Sequence, residues 1–282
     1  MRYHLSIEAI PGKDVFMDNR PIGIFDSGLG GLTCIEALRS LLPNERIIYF
    51  GDTARTPYGS KSPETVCDFA LQIAQYLVER DAKMLIIACN TISSIAIPVL
   101  AEHFPHTPIA GIIQPAAAAI AFECGPENNV GIIGTKVTIQ SGAYEQTIAA
   151  ENADISIYSK ATPAFVPLIE EGIIDCDIMD LTVRHYLDDF IRQNRIDTLV
   201  LGCTHYPLIR DTITKLYPDV RIVDPARPLA LSVGRTLFEK DLLSEKRTGA
   251  DEYAASDLSD NFVALIHRIV GDPDFTIALR KF

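Results

Sequence analysis

Short, continuous apolar runs alternate along the chain with longer stretches in which apolar residues recur at helical spacing. The runs predict buried strands at Pro21–Phe25, Arg46–Phe50, Met84–Ala88, Ile109–Ile113, Val130–Ile133, Ile155–Tyr158, Thr198–Leu201 and Val220–Val223. The longer stretches predict helices at Leu32–Leu42, Pro63–Arg80, Ser141–Ala150, Ile178–Gln193 and Leu208–Tyr217. Continuous apolar strands separated by helices are typical of parallel sheets covered on both faces. The pattern therefore predicts an α/β fold.

Two segments resemble each other, which predicts two similar lobes. Leu85–Thr91 and Leu199–His205 are each an apolar strand that ends in a small residue, a cysteine and hydroxyl or amide residues. A weaker similarity relates Gly23–Gly28 to Gly131–Thr135, each a strand followed by a polar turn. We therefore expect two pseudo-symmetric α/β/α lobes with mainly parallel sheets. Ligands of such sheets bind beyond the carboxyl ends of the strands, so the active site is expected in the cleft between the lobes.

We expect the first lobe to be built from two separate segments of the chain and the second lobe from one. The expected division is a first lobe of residues 21–113 and 226–282, a second lobe of residues 114–225, and an N-terminal extension of residues 1–20. The acidic stretch Glu239–Asp260 contains few large apolar residues and predicts a mobile surface segment. Phe262, Leu265, Ile266 and Ile269 then fall on one helical face, which predicts a last helix packed onto the first lobe.

Composition and charge exclude several classes of partner. The 282 residues carry a formal charge of −12 and are 48% hydrophobic, as in an ordinary globular protein. Without a Lys/Arg block such a chain would repel phosphate backbones, so we expect neither nucleic acid nor a membrane as a partner, but a small molecule. No apolar run approaches the roughly 18 residues of a membrane span, and residues 1–20 have no signal-peptide core. The expected location is the cytoplasm.

The six cysteines are scattered and form no CxxC pair, so neither a disulfide framework nor a zinc ribbon is indicated. Cys89 and Cys203 each end a predicted strand where a helix begins, and the helix dipole there can lower the pKa of a thiol. The remaining cysteines lie in helix or loop stretches and are interpreted as structural: Cys34, Cys67, Cys124 and Cys176.

Two thiols facing each other across a cleft suit stereoinversion without a cofactor. One thiolate removes a proton from a carbon, and the opposite thiol returns a proton to the other face. Hydroxyl and amide side chains after the same strands could hold a substrate carboxylate: Ser27, Asn90, Thr91 and Thr204. His205 and Asp26 are the titratable neighbours. A histidine near its ordinary pKa of about 6.5 can accept a thiol proton, so His205 is expected to help form or orient the thiolate of Cys203.

Other interpretations of these residues stay open. Buried cysteines are more often small core residues, and Cys89 and Cys203 could form a redox disulfide. Cys203 and His205, with the distant Cys89, could also be metal ligands. His205 could also be a satisfied buried histidine. Asp52 could pair with Arg55 in a surface turn, and Glu170–Gly172 could be a plain helix end.

The glycines after the first strand suggest a second kind of site. Asp26–Gly31 follows a strand and precedes a helix, which suits a turn presenting N–H groups to an anion, or only a tight turn. Thr33 stands where the GxGxxG fingerprint needs its third glycine, and no GxxxxGK[ST] sequence exists. The sequence therefore indicates neither a dinucleotide nor a P-loop nucleotide.

Five blocks of the chain match a known family in the same order. They are Phe25–Gly31, Gly51–Gly59, Ala88–Thr91, Phe165–Gly172 and Leu201–Leu208. On these blocks the chain resembles the glutamate racemases, part of the cofactor-independent aspartate, glutamate and hydantoin racemases. The match runs from about Pro21 to Asp224. His205, after the second Gly-Cys-Thr, resembles the glutamate enzymes more than the aspartate enzymes.

The resemblance implies an isomerase that interconverts L- and D-glutamate and supplies D-glutamate for peptidoglycan. It implies no cofactor and no metal; we also expect a homodimer. Cys89 and Cys203 match the acid/base pair, Cys203 acting on L-glutamate and Cys89 on D-glutamate. Asp26, Glu170 and His205 match groups that assist proton transfer. The matching substrate-binding positions are Asp26, Ser27, Tyr58, Gly59, Asn90, Thr91, Thr204 and His205.

Overall fold

The computed structural model describes residues 17–270 and 275–281. Most of the predicted N-terminal extension, residues 1–16, lies outside the described residues. The strands are β1 (Ile22–Asp26), β2 (Ile47–Gly51), β3 (Met84–Ile87), β4 (Ile109–Gly111), β5 (Asn129–Gly134), β6 (Ser156–Ala161), β7 (Thr198–Gly202), β8 (Arg221–Val223), β9 (Glu252–Ala255) and β10 (Ala278–Leu279).

The strands form two sheets in which every described pairing is parallel. One sheet has the order β10-β9-β2-β1-β3-β4, and the other has the order β6-β5-β7-β8. The predicted α/β class with two mainly parallel sheets is therefore confirmed. All eight predicted strands are present within a few residues, except that Ile113 begins a helix instead of ending β4.

The α-helices lie between the strands and cover the sheets. They are α1 (Thr33–Leu41), α2 (Pro63–Val78), α3 (Asn90–Ile95), α4 (Ile97–His103), α5 (Ile113–Glu123), α6 (Lys136–Ser141), α7 (Ala143–Glu151), α8 (Phe165–Glu170), α9 (Asp177–Asn194), α10 (Arg210–Leu216), α11 (Ala226–Glu239) and α12 (Asp260–Val270). The start of α2 shows why these bounds arise: the Ser62 side chain accepts the Thr65 N–H and Pro63 occupies the first turn. Among the described residues no helix is long and apolar enough to cross a membrane.

Three apolar cores hold the sheets and helices together. One core lies under α2, where Ile73 and Leu77 are fully buried. Another core lies under α9, where Val183 and Leu187 are fully buried. The third core joins residues of both sheets, including Ile22 of β1 and Val130 of β5. The shared core fixes the two sheets relative to each other. The lobe boundaries at 113/114 and 225/226 stay a prediction.

The acidic stretch does not behave as the predicted mobile surface segment. Its residues Glu252–Ala255 form β9, which pairs with β2, and Ala255 is fully buried. The acidic Asp251 accepts the Ile47 N–H at 2.9 Å and pairs with Arg39 and Arg247. The prediction was wrong because partners distant in the sequence neutralise these carboxylates and because β2 offers a free sheet edge.

The last helix contacts more than the first lobe. Leu265 of α12 packs in the core under α9, whereas Ile266 packs in the shared core. The apolar face was predicted correctly, and it packs on the core under α9 in addition to the shared core. Helical spacing identifies a face without identifying the surface that covers it.

Candidate active site

A small cavity opens between the two sheets, at the carboxyl ends of their strands. Its volume is about 130 Å³, room for several water molecules and suited to a small molecule. It is lined by most of the predicted site residues: Ser27, Tyr58, Gly59, Cys89, Asn90, Thr91, Cys203, Thr204 and His205. Asp26 and Glu170 lie behind this lining. The cavity thus brings together residues separated by more than 170 positions in the sequence.

Cys89 lies at the N-terminus of α3 in a buried, electronegative position. Its thiol donates to the Ser27 hydroxyl at 3.3 Å and is 4% exposed. Burial, and then the nearby Asp26 carboxylate, raises the pKa of Cys89 to about 12. The Ser27 hydroxyl and the Ile92 N–H at the start of α3 lower the pKa by less. The predicted lowering by the helix dipole is therefore wrong for Cys89, because desolvation of the thiolate outweighs it.

Cys203 lies at the end of β7 beside a histidine. Its Sγ is 3.9 Å from Nδ1 of His205, and Nε2 of the same ring is 3.2 Å from Oε1 of Glu170. The second contact has the distance of an ion pair, but its angle is outside hydrogen-bond geometry. A short 3-10 turn, Tyr206–Ile209, comes after Cys203, whereas an α-helix follows Cys89 directly.

The surroundings of His205 change the pKa predicted for it. Burial lowers its pKa, but the contacts with Cys203 and Glu170 outweigh burial and hold the pKa well above the ordinary value of 6.5. The raised pKa, caused by the contacts with Cys203 and then with Glu170, favours the protonated imidazole beside the sulfur. The ordinary pKa predicted for His205 was therefore wrong, whereas its role in forming or orienting the Cys203 thiolate stays a prediction.

Asp26 is completely buried between the glycine turn and the second sheet. Its Oδ2 accepts the Gly31 N–H at 2.9 Å, and the Thr204 hydroxyl lies 3.4 Å from both carboxylate oxygens. A Cβ on Gly30 would come within 2.5 Å of the Thr204 hydroxyl, so only glycine permits this approach. The glycine turn was predicted to present its N–H groups to an anion, but the Gly31 N–H is already bonded to Asp26.

Asn90 combines one satisfied and one unsatisfied polar atom. Its Oδ1 accepts the Tyr144 hydroxyl at 2.7 Å. Its Nδ2 is buried and has no hydrogen-bond partner within residues 17–270 and 275–281. A buried amide donor without a partner is costly, so a ligand oxygen in the cavity would restore a hydrogen bond. Because the Tyr144 bond fixes the amide orientation, the donor is held toward that position.

Tyr58 turns its hydroxyl away from the cavity. The hydroxyl donates to Asp52, whose other oxygen accepts the Ser256 hydroxyl at 2.7 Å. Burial and the neighbouring Asp52 raise the pKa of Tyr58, so the donor stays protonated. Tyr58 thus offers the cavity its ring and backbone. Asp52 pairs with Arg55, as predicted, with 2.5 Å between Oδ2 and Nε. Asp52 is fully buried, so only the predicted surface location was wrong.

Several lining residues were not predicted. Thr135, Lys136, Thr162 and Tyr206 all line the cavity. The first two follow β5 and the third follows β6, so the rule that ligands bind beyond strand ends could have identified them. They were missed because threonine and lysine after a strand carry no distinctive catalytic signal in the sequence.

Comparison with known proteins identifies the family. A family model described as Asp/Glu/Hydantoin racemase matches residues 32–232. The chain belongs to this racemase family. The predicted enzyme class, a racemase within the isomerases, is therefore confirmed.

Individual relatives agree with the family model. The chain is 44% identical over 250 residues to the glutamate racemase of Persephonella marina, covering 89% of this chain and 93% of the relative. It is similar to the crystal structure of glutamate racemase from Francisella tularensis in complex with D-glutamate, with 38% identity, a TM-score of 0.86, and coverage of 94% and 98% of the two chains. The Thermus thermophilus glutamate racemase, in complex with β-chloro-D-alanine, gives 39% identity, a TM-score of 0.81 and the same coverage. These likenesses confirm the resemblance noted from the motifs.

The family frames what the cavity can do chemically. Two thiols line one small space, with a carboxylate behind one of them and an imidazolium beside the other. Within the described residues no three His, Cys, Asp or Glu side chains are grouped as metal ligands. The arrangement is suited to moving protons between two sulfur atoms and a bound carbon acid.

Proposed function

We propose that the protein interconverts L- and D-glutamate by proton transfer at Cα between Cys89 and Cys203. The observation that carries the proposal is the pair of buried thiols lining one small cavity from equivalent strand ends. The relatives at 41–44% identity named glutamate racemase supply the substrate. The resemblance adds the purpose, which is D-glutamate for peptidoglycan.

The proposed reaction consists of two balanced proton transfers. In the direction from L-glutamate, the Cys203 thiolate removes the Cα proton, and the electron pair of the C–H bond moves into the adjacent carboxylate. The Cys89 thiol then donates its proton to the opposite face of the planar carbon. D-glutamate leaves with Cys203 as thiol and Cys89 as thiolate, and the reverse reaction uses the same groups in the opposite order.

The neutral donors of the cavity hold the reacting carboxylate in this proposal. The unsatisfied Nδ2 of Asn90 is the strongest candidate, because it is buried, oriented and without a partner among the described residues. The hydroxyls of Ser27, Thr91 and Thr204 lie along the same lining. Donors held in place stabilise the charge that develops on the carboxylate when the proton leaves.

In this proposal the charged residues around the two thiols make one thiol the base and the other the acid. The His205 imidazolium, held by Glu170, favours the thiolate of Cys203. The Asp26 carboxylate favours the protonated form of Cys89. The resting enzyme would therefore hold Cys203 as base and Cys89 as acid, ready for L-glutamate.

We further propose that the protein works in the cytoplasm as a homodimer. Light scattering would test whether it is a dimer.

Polarimetry tests the proposed function directly. The circular dichroism of L-glutamate incubated with the protein, without pyridoxal phosphate, is expected to decay to zero. In deuterium oxide the inverted product is expected to carry solvent deuterium at Cα, because each thiol exchanges its proton with solvent. L-aspartate serves as the parallel substrate: decay with aspartate alone would change the substrate assignment, and decay with neither would overturn the activity.

A further inference from the structure

The charge of the cavity lining is unusual for a chain of this composition. The protein carries a formal charge of −12, yet no Asp or Glu is among the described residues that line the cavity. Lys136 is the one Lys or Arg in that described lining. His205 is protonated but buried, so Lys136 is the exposed cation of this lining that an approaching anion meets first.

The position of Lys136 is fixed by close packing. It is the first residue of α6 and follows Thr135, whose side chain accepts the Thr138 N–H at 3.2 Å. A Cβ added to Gly59 would lie 2.5 Å from the Thr135 Cβ, so the Tyr58–Gly59 turn rests directly on the start of α6. Lys136 is therefore held at the Gly59 edge of the cavity.

The ammonium group of Lys136 is available to a ligand. The residue is exposed although it lines the cavity, so it lies where the cavity meets solvent. It has no ion-pair partner in the part of the chain that the structure describes, whereas arginines and lysines elsewhere pair with carboxylates, as Lys83 does with Glu45 at 2.6 Å. An unpaired cation can bind an incoming carboxylate at little cost in free energy, because no existing ion pair has to break.

We propose that Lys136 is a specificity-determining residue that binds the side-chain carboxylate of an anionic amino acid. The proposal rests on the proposed function, in which the reacting carboxylate lies against the neutral donors around Asn90. A dicarboxylic amino acid then brings a second negative charge that those neutral donors do not balance. Lys136 balances this charge at the solvent-facing edge of the cavity. It takes no part in proton transfer, so its contribution is to binding and not to the chemical step.

The main test compares Lys136→Met with the matched surface control Lys240→Met, an exposed lysine outside the cavity lining. Lys136→Met is expected to raise KM roughly fivefold, the effect of about 1 kcal/mol, for both enantiomers while kcat stays near the wild-type value. Lys136→Glu should raise KM further, and Lys136→Arg should restore most of the loss. In wild type kcat/KM should fall with added salt, and this dependence should weaken in Lys136→Met but not in Lys240→Met.

A binding measurement separates this proposal from the proposed function. Calorimetric titration with D-glutamate and D-glutamine compares two ligands of nearly equal shape that differ in the side-chain charge. Lys136→Met should weaken D-glutamate binding and leave D-glutamine binding unchanged. If the wild type were inactive but its glutamate binding still depended on Lys136, the racemase assignment would be overturned and the binding role of Lys136 would be supported. Unchanged KM and salt dependence in Lys136→Met, or equal weakening of both ligands, would overturn the role of Lys136.

Discussion

The two thiols occupy equivalent strand ends but different electrostatic surroundings. Cys89 has a hydroxyl at 3.3 Å and a buried carboxylate behind it, and the pKa of its thiol is raised to about 12 by burial and by that carboxylate. Cys203 has an imidazole nitrogen at 3.9 Å, and that ring is in turn 3.2 Å from Glu170. Burial and Asp26 thus outweigh the hydroxyl and disfavour negative charge on the Cys89 sulfur, whereas the ring beside Cys203 favours negative charge.

The difference shows how a duplicated architecture becomes directional. Repeated strand ends supply two sulfurs with similar backbone positions, but two-base inversion needs one acid and one base at the same time. Asp26 raises the pKa of Cys89, and the proposed mechanism assigns the protonated His205 the opposite effect on Cys203. The asymmetry is carried by neighbours of the thiols, and each neighbour can be changed separately.

Removal of either thiol should have the largest effect. Cys89→Ala and Cys203→Ala are each expected to lower kcat by about 10³-fold or more in both directions, because inversion then lacks its acid or its base. The measurement is circular dichroism of both enantiomers of glutamate. Cys176→Ala, at an exposed position, is the control that should stay active. Substantial racemisation by either active-site variant, with unfolding midpoints unchanged, would contradict the two-thiol assignment.

Neutralising the two charged neighbours should separate the two sides. His205→Asn and Asp26→Asn are each expected to lower kcat/KM by roughly 10- to 100-fold, equally in both directions because the equilibrium constant between enantiomers is one. With Cα-deuterated substrates, His205→Asn should show the larger isotope effect from L-glutamate and Asp26→Asn from D-glutamate. Wild-type isotope effects in both variants would make these side chains binding or structural groups.

Glu170→Gln should change the pH dependence more than the maximal rate. Glu170 helps to keep the His205 pKa raised, and the proposed mechanism needs the protonated imidazole. Activity is therefore lost as pH rises through the His205 pKa, and the substitution should move this alkaline limb to lower pH. The profile of kcat/KM against pH measures it, with Glu171→Gln as the control. An unshifted limb would show that Glu170 does not act through His205.

Tyr58→Phe should have the smallest effect on catalysis. The hydroxyl donates to Asp52 and not into the cavity, so KM is expected to change by less than about twofold. The cost should be to stability, about 1–3 kcal/mol in urea unfolding, because Asp52 loses a donor while buried. A large rise in KM at unchanged stability would mean that the hydroxyl turns toward the substrate.

Local sequence pattern was sufficient for most of the fold. Continuous apolar runs such as Val130–Ile133 and Thr198–Leu201 identify strands that are buried on both faces, and such strands occur in parallel sheets. The repeated strand-Cys motifs also predicted which two of six cysteines line the cavity. Both inferences hold because they depend on residues adjacent in the chain. β9 was missed because its pairing with β2 spans about two hundred residues.

Tertiary structure alone decided the electrostatics of the site. The sequence predicted that helix N–H groups would lower the pKa of Cys89, and it assigned His205 an ordinary pKa. Burial and the Asp26 carboxylate instead raise the pKa of Cys89. Glu170, which is distant in sequence, contributes to raising the pKa of His205 above its ordinary value. The physical reason is that desolvation and Coulomb interactions depend on what surrounds a group in space. A sequence names the ionisable groups and their order, but only the folded chain sets the distances between them.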